Sequence, residues 1–229
     1  MRICSYLAYT VLLGSLAVSC SCAATTGRSF QMSAVEALDL GQARDQIDLA
    51  RLGAQSFGET RMTPQGRCEL VGRYYQYVTS FSVTGCAVVL EFRNDRLNGF
   101  HFISERREDR TTVDLAHAET LESETGRLTK DDVLSLLGKP HGKVLMPTIM
   151  PWYEELSLTP NVAEIWGYNN APARQRFGKF AGFICANTIF VCFDQAGTIC
   201  RVTVEQGDRY HGGPQCWRAD TDPPTLPTF

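Results

Sequence analysis

The sequence predicts an α+β fold of two tandem units, each a short helix laid on an antiparallel sheet, the two sheets forming one extended or concave surface. Three observations carry this expectation. A capped helical segment of about eight residues is too short to persist unless a larger surface buries its apolar face. β-Branched and aromatic runs joined by a tight turn supply such a surface. The order helix, aromatic strand, hairpin also occurs twice along the chain.

The clearest local signal runs from Leu128 to Pro140. Thr129 can cap the helix, Asp132 stands at its third position, and Gly138 and Pro140 end it. Val133, Leu136 and Leu137 share one face. Residues 164–168, 186–193 and 198–204 then read as strands, the last two joined by Asp194-Gln195-Ala196-Gly197, the sequence of a type I turn closed by a left-handed glycine. That register sets Asp194 opposite Thr198 and Cys192 opposite Cys200, where the pair reads either as a cross-strand disulfide or as two small buried hydrophobes. The first half repeats the order more loosely. Residues 43–52 read as a helix ending at Gly53, Arg73-Tyr74-Tyr75-Gln76-Tyr77 as the aromatic strand, and 86–92 and 97–103 as a hairpin through Asn94-Asp95. Tyr75 and Tyr77 thereby correspond to Trp166 and Tyr168.

The chain has 229 residues, of which 44% are hydrophobic and 21% charged, a composition that excludes a disordered, collagen-like or polytopic membrane protein. With 22 basic and 25 acidic side chains and a net charge of -3, no surplus exists to drive binding to a phosphate backbone, and nucleic acid is not an expected partner. Residues 3–27 carry no charge, and behind Arg2 lies an apolar stretch over 3–18, the pattern of an export signal. The expected organisation is a signal over 1–19, an anchor and tether over 20–33, a first unit over 34–107, a charged linker with one exposed helix over 108–125, a second unit over 126–207 and a proline-rich tail over 208–229.

Cysteine usage fits an oxidising compartment. Besides Cys4 and Cys20, the chain holds Cys22 in the tether and then Cys68, Cys86, Cys185, Cys192, Cys200 and Cys216. Six cysteines allow 15 connectivities; pairing within each half would join Cys68 to Cys86. Zinc is disfavoured, because no Cys-x-x-Cys occurs and His101, His117, His141 and His211 are scattered. No metal and no cofactor are expected.

No constellation reads as catalytic. Glu154-Glu155 are adjacent and read as a solvated loop. His101 alternates with Phe100 and Phe102 and reads as an outward or hydrogen-bonded strand residue, and phosphate-binding glycine loops are absent. The loop Met146-Pro147-Thr148-Ile149-Met150-Pro151-Trp152-Tyr153 stands out instead. Its Met150, Trp152 and Tyr153, with Tyr74, are candidate partner-binding residues; the other reading is a loop folded down over its own sheet.

The 129–140 helix with its Leu137-Gly138-Lys139-Pro140 ending, the Trp166-x-Tyr168 strand and the Phe193-Asp194-x-x-Gly197 hairpin, in that order, resemble the BamE (SmpA/OmlA) family of outer-membrane lipoproteins. Doubling the unit is similar to the β-lactamase inhibitory protein, in which two such units present one concave sheet to a partner. Leu16-Ala17-Val18-Ser19-Cys20 resembles the lipobox at which bacterial lipoproteins are cleaved and acylated. Cleavage before Cys20 with lipidation of that residue, ordinary cleavage near Ala23 or Ala24, and a retained N-terminal span are the three readings, and all place the body outside the cytoplasm. Ser21 in place of Asp directs a lipoprotein, in the enterobacterial pattern, to the outer membrane. The resemblance implies a non-catalytic, lipid-anchored protein on the periplasmic face of a bacterial outer membrane, or one that is secreted or periplasmic, binding another envelope protein as an assembly accessory. The alternative it implies is an inhibitor of a hydrolase such as a β-lactamase.

Overall fold

The structure, a computed structural model, describes residues 24–78, 83–104, 106, 109, 113–150, 153, 154, 156, 159–169, 183, 184, 188–205, 210 and 211. The chain enters through β1 (Ala24–Thr26), helix α1 (Met32–Glu36) and two 3-10 turns (Arg44–Gln46 and Leu49–Leu52), then runs through β2 (Ala54–Thr63), β3 (Gly66–Val78), β4 (Val83–Arg93) and β5 (Arg96–Ser104). Helices α2 (Leu115–Ser123) and α3 (Lys130–Leu137) follow, then β6 (Gly142–Leu145) and β7 (Glu164–Asn169). The remaining strands are β8 (Phe183–Ile184), β9 (Thr188–Phe193), β10 (Ile199–Glu205) and β11 (Tyr210–His211). Among the described residues, nine strands form one antiparallel sheet in the order β1-β3-β4-β5-β6-β7-β9-β10, with β2 lying beside β3 end to end with β1; β8 and β11 pair with each other.

The two expected helix-plus-sheet units therefore do not form. Gly99, Phe100 and His101 of β5 pair with Val144, Lys143 and Gly142 of β6, so one hydrogen-bond ladder runs through the position where the units were expected to part. Ending the sheet there would leave two further strand edges unpaired. The first-half helix over 43–52 is also absent, because its backbone is spent elsewhere. Gly41 and Arg44 donate their N–H groups to Leu97 and Asp95, and Gln42 accepts from Leu97, so the segment is laced to the β4–β5 turn in tight 3-10 turns. The Arg44 guanidinium reaches Glu69 at 2.5 and 2.9 Å and lies 5.0 Å from the centre of the Phe92 ring. The helix expected to be an exposed part of the linker is α2, and it buries Ala118 and Leu121.

Other local expectations hold. Thr129 accepts from the Asp132 N–H while the Asp132 carboxylate accepts from the Thr129 N–H, closing a capping box at the start of α3. Gly138 ends that helix at φ 74, and its carbonyl accepts from the Tyr168 hydroxyl at 3.1 Å, fixing the end of α3 to β7. Asn94 and Asp95 adopt φ 48 and 58, the left-handed pair of a two-residue turn between β4 and β5.

Both sheet faces are covered, so the central strands are apolar at successive positions rather than alternately: all six residues of β9 are buried. One face packs Val88, Leu90, Phe100 and Phe102 beneath Phe30, Val35, Ile47 and Leu52, and Trp166, Ile189, Val191 and Phe193 beneath Leu121, Val133 and Leu137. The other packs Leu70, Val89, Val144, Ile165 and Phe190 beneath Ile149, Met150, Tyr153 and Leu156.

Replacing Thr129 by Ala removes one side of the capping box and is expected to lower stability by about 1 kcal/mol, read as a shifted urea midpoint at unchanged slope.

Candidate functional site

The connection between β6 and β7 is a strap laid across one face of the sheet. Its base is closed where the Met146 N–H donates to Ala163 at 2.9 Å, and the Ala163 N–H continues to Phe193 at 2.8 Å. Beneath it, one row crosses four strands: His101 of β5, Gly142 of β6, Gly167 of β7 and Phe190 of β9 stand directly opposite one another in turn. Two side chains flank two glycines, which leaves a slot one ring wide. Tyr153 fills it. Its ring meets His101 edge-on at 5.7 Å and Phe190 edge-on at 5.1 Å, and a Cβ at either glycine would overlap its hydroxyl. Glycine inside a strand marks such close approaches.

The slot is polar at one end. Tyr153 Oη lies 2.6 Å from His101 Nδ1, and Asn169 holds His101 through a second side-chain hydrogen bond. The Asn169 amide nitrogen is donated to the Phe102 carbonyl at 2.9 Å, so its Oδ1 is the acceptor for the imidazole and for the Thr188 hydroxyl at 3.1 Å. This makes the imidazole a donor to Asn169 and leaves Nδ1 to accept from the phenol. His101 is 2% exposed, and burial, with His141 nearby, holds its pKa down to about 3. His141 is pushed down by burial as well; its Nδ1 accepts from the Asn169 N–H at 3.1 Å and its Nε2 lies 3.3 Å from the Asp109 carbonyl. His101 is a neutral hydrogen-bond relay sealed under the strap, and His141, also buried, is held between Asn169 and Asp109.

A buried carboxyl pins the strap's other end. Glu91 accepts from the Thr148 hydroxyl, from the Ile149 N–H at 3.2 Å and from Asn98 Nδ2 at 2.9 Å, while Arg93 approaches to 3.5 Å. Burial pushes its pKa up against the opposing pull of Thr148 and Arg93.

The expected site residues separate accordingly. Met150 and Tyr153 are completely buried, so they are core and not the partner surface the sequence suggested; the loop folds down over its own sheet because the glycine slot accepts its ring. Tyr74 is half-buried against the same cluster. Cys68 and Cys86 are unbonded thiols on opposite faces, and their registers, Cys68 opposite Arg93 and Cys86 opposite Tyr75, place them seven positions apart along the β3–β4 ladder. That spacing is about 23 Å, beyond any disulfide. The Cys86 thiol donates to the Phe30 carbonyl at 3.3 Å, and burial pushes its pKa up to about 12. Cys192 stands opposite Arg201, not Cys200, because a bulge intervenes. Cys20, Trp152, Cys185 and Cys216 lie outside the described residues.

Sequence reading missed two features. Gly142, ahead of Val144 and Leu145, and Gly167, between Trp166 and Tyr168, carried the signal for the slot. Thr63-Pro64-Gln65-Gly66 carried the signal for the turn that makes β2 a ten-residue strand. No group of three or more His, Cys, Asp or Glu able to hold a metal ion occurs among the described residues. No known protein family, curated protein or solved structure matches the chain.

Two measurements test the sealed network. Tyr153→Phe takes the hydroxyl from His101 and is expected to cost about 1–3 kcal/mol in urea denaturation. The pH dependence follows from the shifts. Between about 3 and 6.5 the unfolded chain protonates His101 and the folded chain does not, so stability falls as pH drops through that window, and His141 acts in the same direction. Glu91 opposes them: above the free value of 4.5 the folded chain retains a proton the unfolded chain has lost, so its contribution grows as pH falls. Subtracting the stability profile of His101→Gln from that of the unsubstituted protein isolates the histidine, and the difference should decline steadily from pH 6.5 downward.

Proposed function

We propose that the protein is a non-catalytic, lipid-anchored envelope protein that binds another protein as an accessory of outer-membrane or envelope assembly, and that it takes its partner as an added strand along β2. The observation that carries this reading is the open outer edge of β2: among the described residues, no strand pairs with Ala54–Thr63 except β3. Counting from the Thr63–Gly66 pair that closes the two-residue turn, the main-chain N–H groups of Gly58, Thr60 and Met62 point outward along that edge. Natural edges are usually blunted by charge, proline or a covering element. Here the exposed row Gly58, Thr60, Met62 carries no charge, and Met62 is 77% exposed. The charged neighbours Glu59 and Arg61 lie in the other row and pair with each other at 2.6 Å. Such an edge suits recognition through main-chain hydrogen bonds with side-chain contacts at alternate positions.

The tether supports the same orientation. β1 pairs Ala24, Thr25 and Thr26 with Val78, Tyr77 and Gln76 of β3, extending the line that β2 occupies. Cys20 precedes β1 closely in sequence, so a lipid on it would hold this edge toward the membrane surface. The inhibitor reading required a sheet face open to a partner, and the strap occupies the face between β4 and β9.

Cys20→Ser is expected to release the full chain from the membrane fraction and to leave the precursor uncleaved; unchanged sedimentation and processing would remove the anchor from this reading. For the edge, a photo-crosslinker at position 62 in the native membrane protein should yield a discrete adduct with an envelope protein, and one at Leu136 on α3 should not. Thr60→Pro, which deletes one outward N–H, should abolish the adduct while moving stability by less than about 0.5 kcal/mol. An adduct that survives Thr60→Pro would overturn strand addition.

A further inference from the structure

Around the β9–β10 hairpin the ladder breaks once. Ile199 stands opposite Phe193 and Arg201 opposite Cys192, so Cys200 is the extra residue of a β-bulge, and Cys200 and Arg201 together oppose Cys192. The bulge corrects the simple register and still brings the two thiols together. Cys192 belongs to the cluster beneath the strap, Cys200 packs against that same cluster, and Cys200 Sγ lies 3.4 Å from the Cys192 carbonyl. Cross-strand neighbours have Cα atoms about 4.5–5.5 Å apart, inside the span a disulfide bridges. The other described cysteines cannot compete: Cys86 is on the opposite face, and Cys68 sits on β3, with β4, β5, β6 and β7 between it and β9.

The two sulfurs differ in access. Cys192 is fully buried and Cys200 half-buried, lining a groove of about 580 Å³ with Ala118 and Glu122 of α2 and Arg201 and Thr203 of β10. We propose that Cys192 and Cys200 form a redox-active dithiol that closes to a disulfide by exchange with a small or protein disulfide presented at this groove. This inference is independent of the β2 edge.

The exchange balances. Cys200 loses its proton, and its thiolate attacks one sulfur of the incoming disulfide, forming a mixed disulfide and expelling the donor's other sulfur as a thiolate, which takes up a proton. Cys192 then loses its proton and attacks Cys200 Sγ. The Cys192–Cys200 bond forms, the mixed disulfide breaks, and the second donor thiol leaves. Two electrons and two protons pass from the pair to the donor. Burial pushes the Cys192 thiol up to about 12 and also raises Cys200, so closure should accelerate as pH rises.

The test uses the reduced full chain and oxidised glutathione, followed by alkylation of remaining thiols and non-reducing digestion with trypsin, chymotrypsin, which cuts between Cys185 and Cys192 at Phe190, and an Asp-directed protease, which cuts between Cys192 and Cys200 at Asp194. The expected product is the peptide ending at Phe193 linked through Cys192 to the peptide 194–201, with no lasting glutathione adduct. Cys192→Ser should instead trap glutathione on Cys200. Alkylation of both Cys192 and Cys200 after full oxidation, or linkage of Cys200 to Cys185 or Cys216, would overturn the proposal; the map of the unsubstituted chain decides even if Cys192→Ser fails to fold.

Discussion

The fit of the Tyr153 ring between His101 and Phe190, over Gly142 and Gly167, is the contact on which the rest of this molecule depends. A sheet this wide has two faces to cover, and the helices reach only one of them. The second is covered by the strap between β6 and β7, which is held down by its buried side chains and by the main-chain bonds at its base. Side chains at the two glycine positions would lift the ring off the sheet and with it Met150, Ile149 and Leu156. Burying each such large apolar side chain stabilises the fold by roughly 1.5–3 kcal/mol, so a misplaced strap would cost a sizeable share of a domain's net stability.

Covering both faces determines where the protein can meet others. Among the described residues, Met150 and Tyr153 of the strap are turned inward, and what lies open at the outer edge of β2 is main chain with the exposed Met62 beside it. The β10 end is different. There Gly126 and Leu128 bond the first residue of the strand, and α2 packs alongside, leaving a groove instead of a bare edge. The two sheet ends thus offer different chemistry, a hydrogen-bonding edge at one and a thiol beside an arginine at the other.

The polar groups under the strap add specificity more than net stability. His101, Asn169, Thr188 and Tyr153 form one chain of hydrogen bonds, and Glu91, Asn98 and Thr148 another. Their titrations run in opposite senses, the imidazoles disfavouring acid and the carboxyl favouring it. A strap shifted by one residue would leave these buried groups unpaired, at about 1–3 kcal/mol for each, which selects a single seating over its neighbours.

Where a structure is dictated by neighbours in sequence, this chain is legible. The Thr129–Asp132 capping box, the Gly138 stop and the Asn94-Asp95 and Asp194–Gly197 turns each depend on a few adjacent side chains and their backbone preferences, and each forms as read. Repetition misled. Two similar strings of helix, strand and hairpin signals suggested two units, yet one ladder joins β5 to β6, and the 43–52 segment gives its backbone to the β4–β5 turn in place of a helix. Pairing between distant strands is not encoded in local spacing, and neither are a bulge that sets Arg201 in register with Cys192, two glycines aligned across β6 and β7, or the face toward which a cysteine points. The sequence by itself determined caps, turns and the apolar character of the strands, because those follow from local sterics and hydrogen bonding. Only the tertiary structure decided register, which loop covers which face and which groups meet beneath it, because those follow from which residues far apart in the chain bury one another.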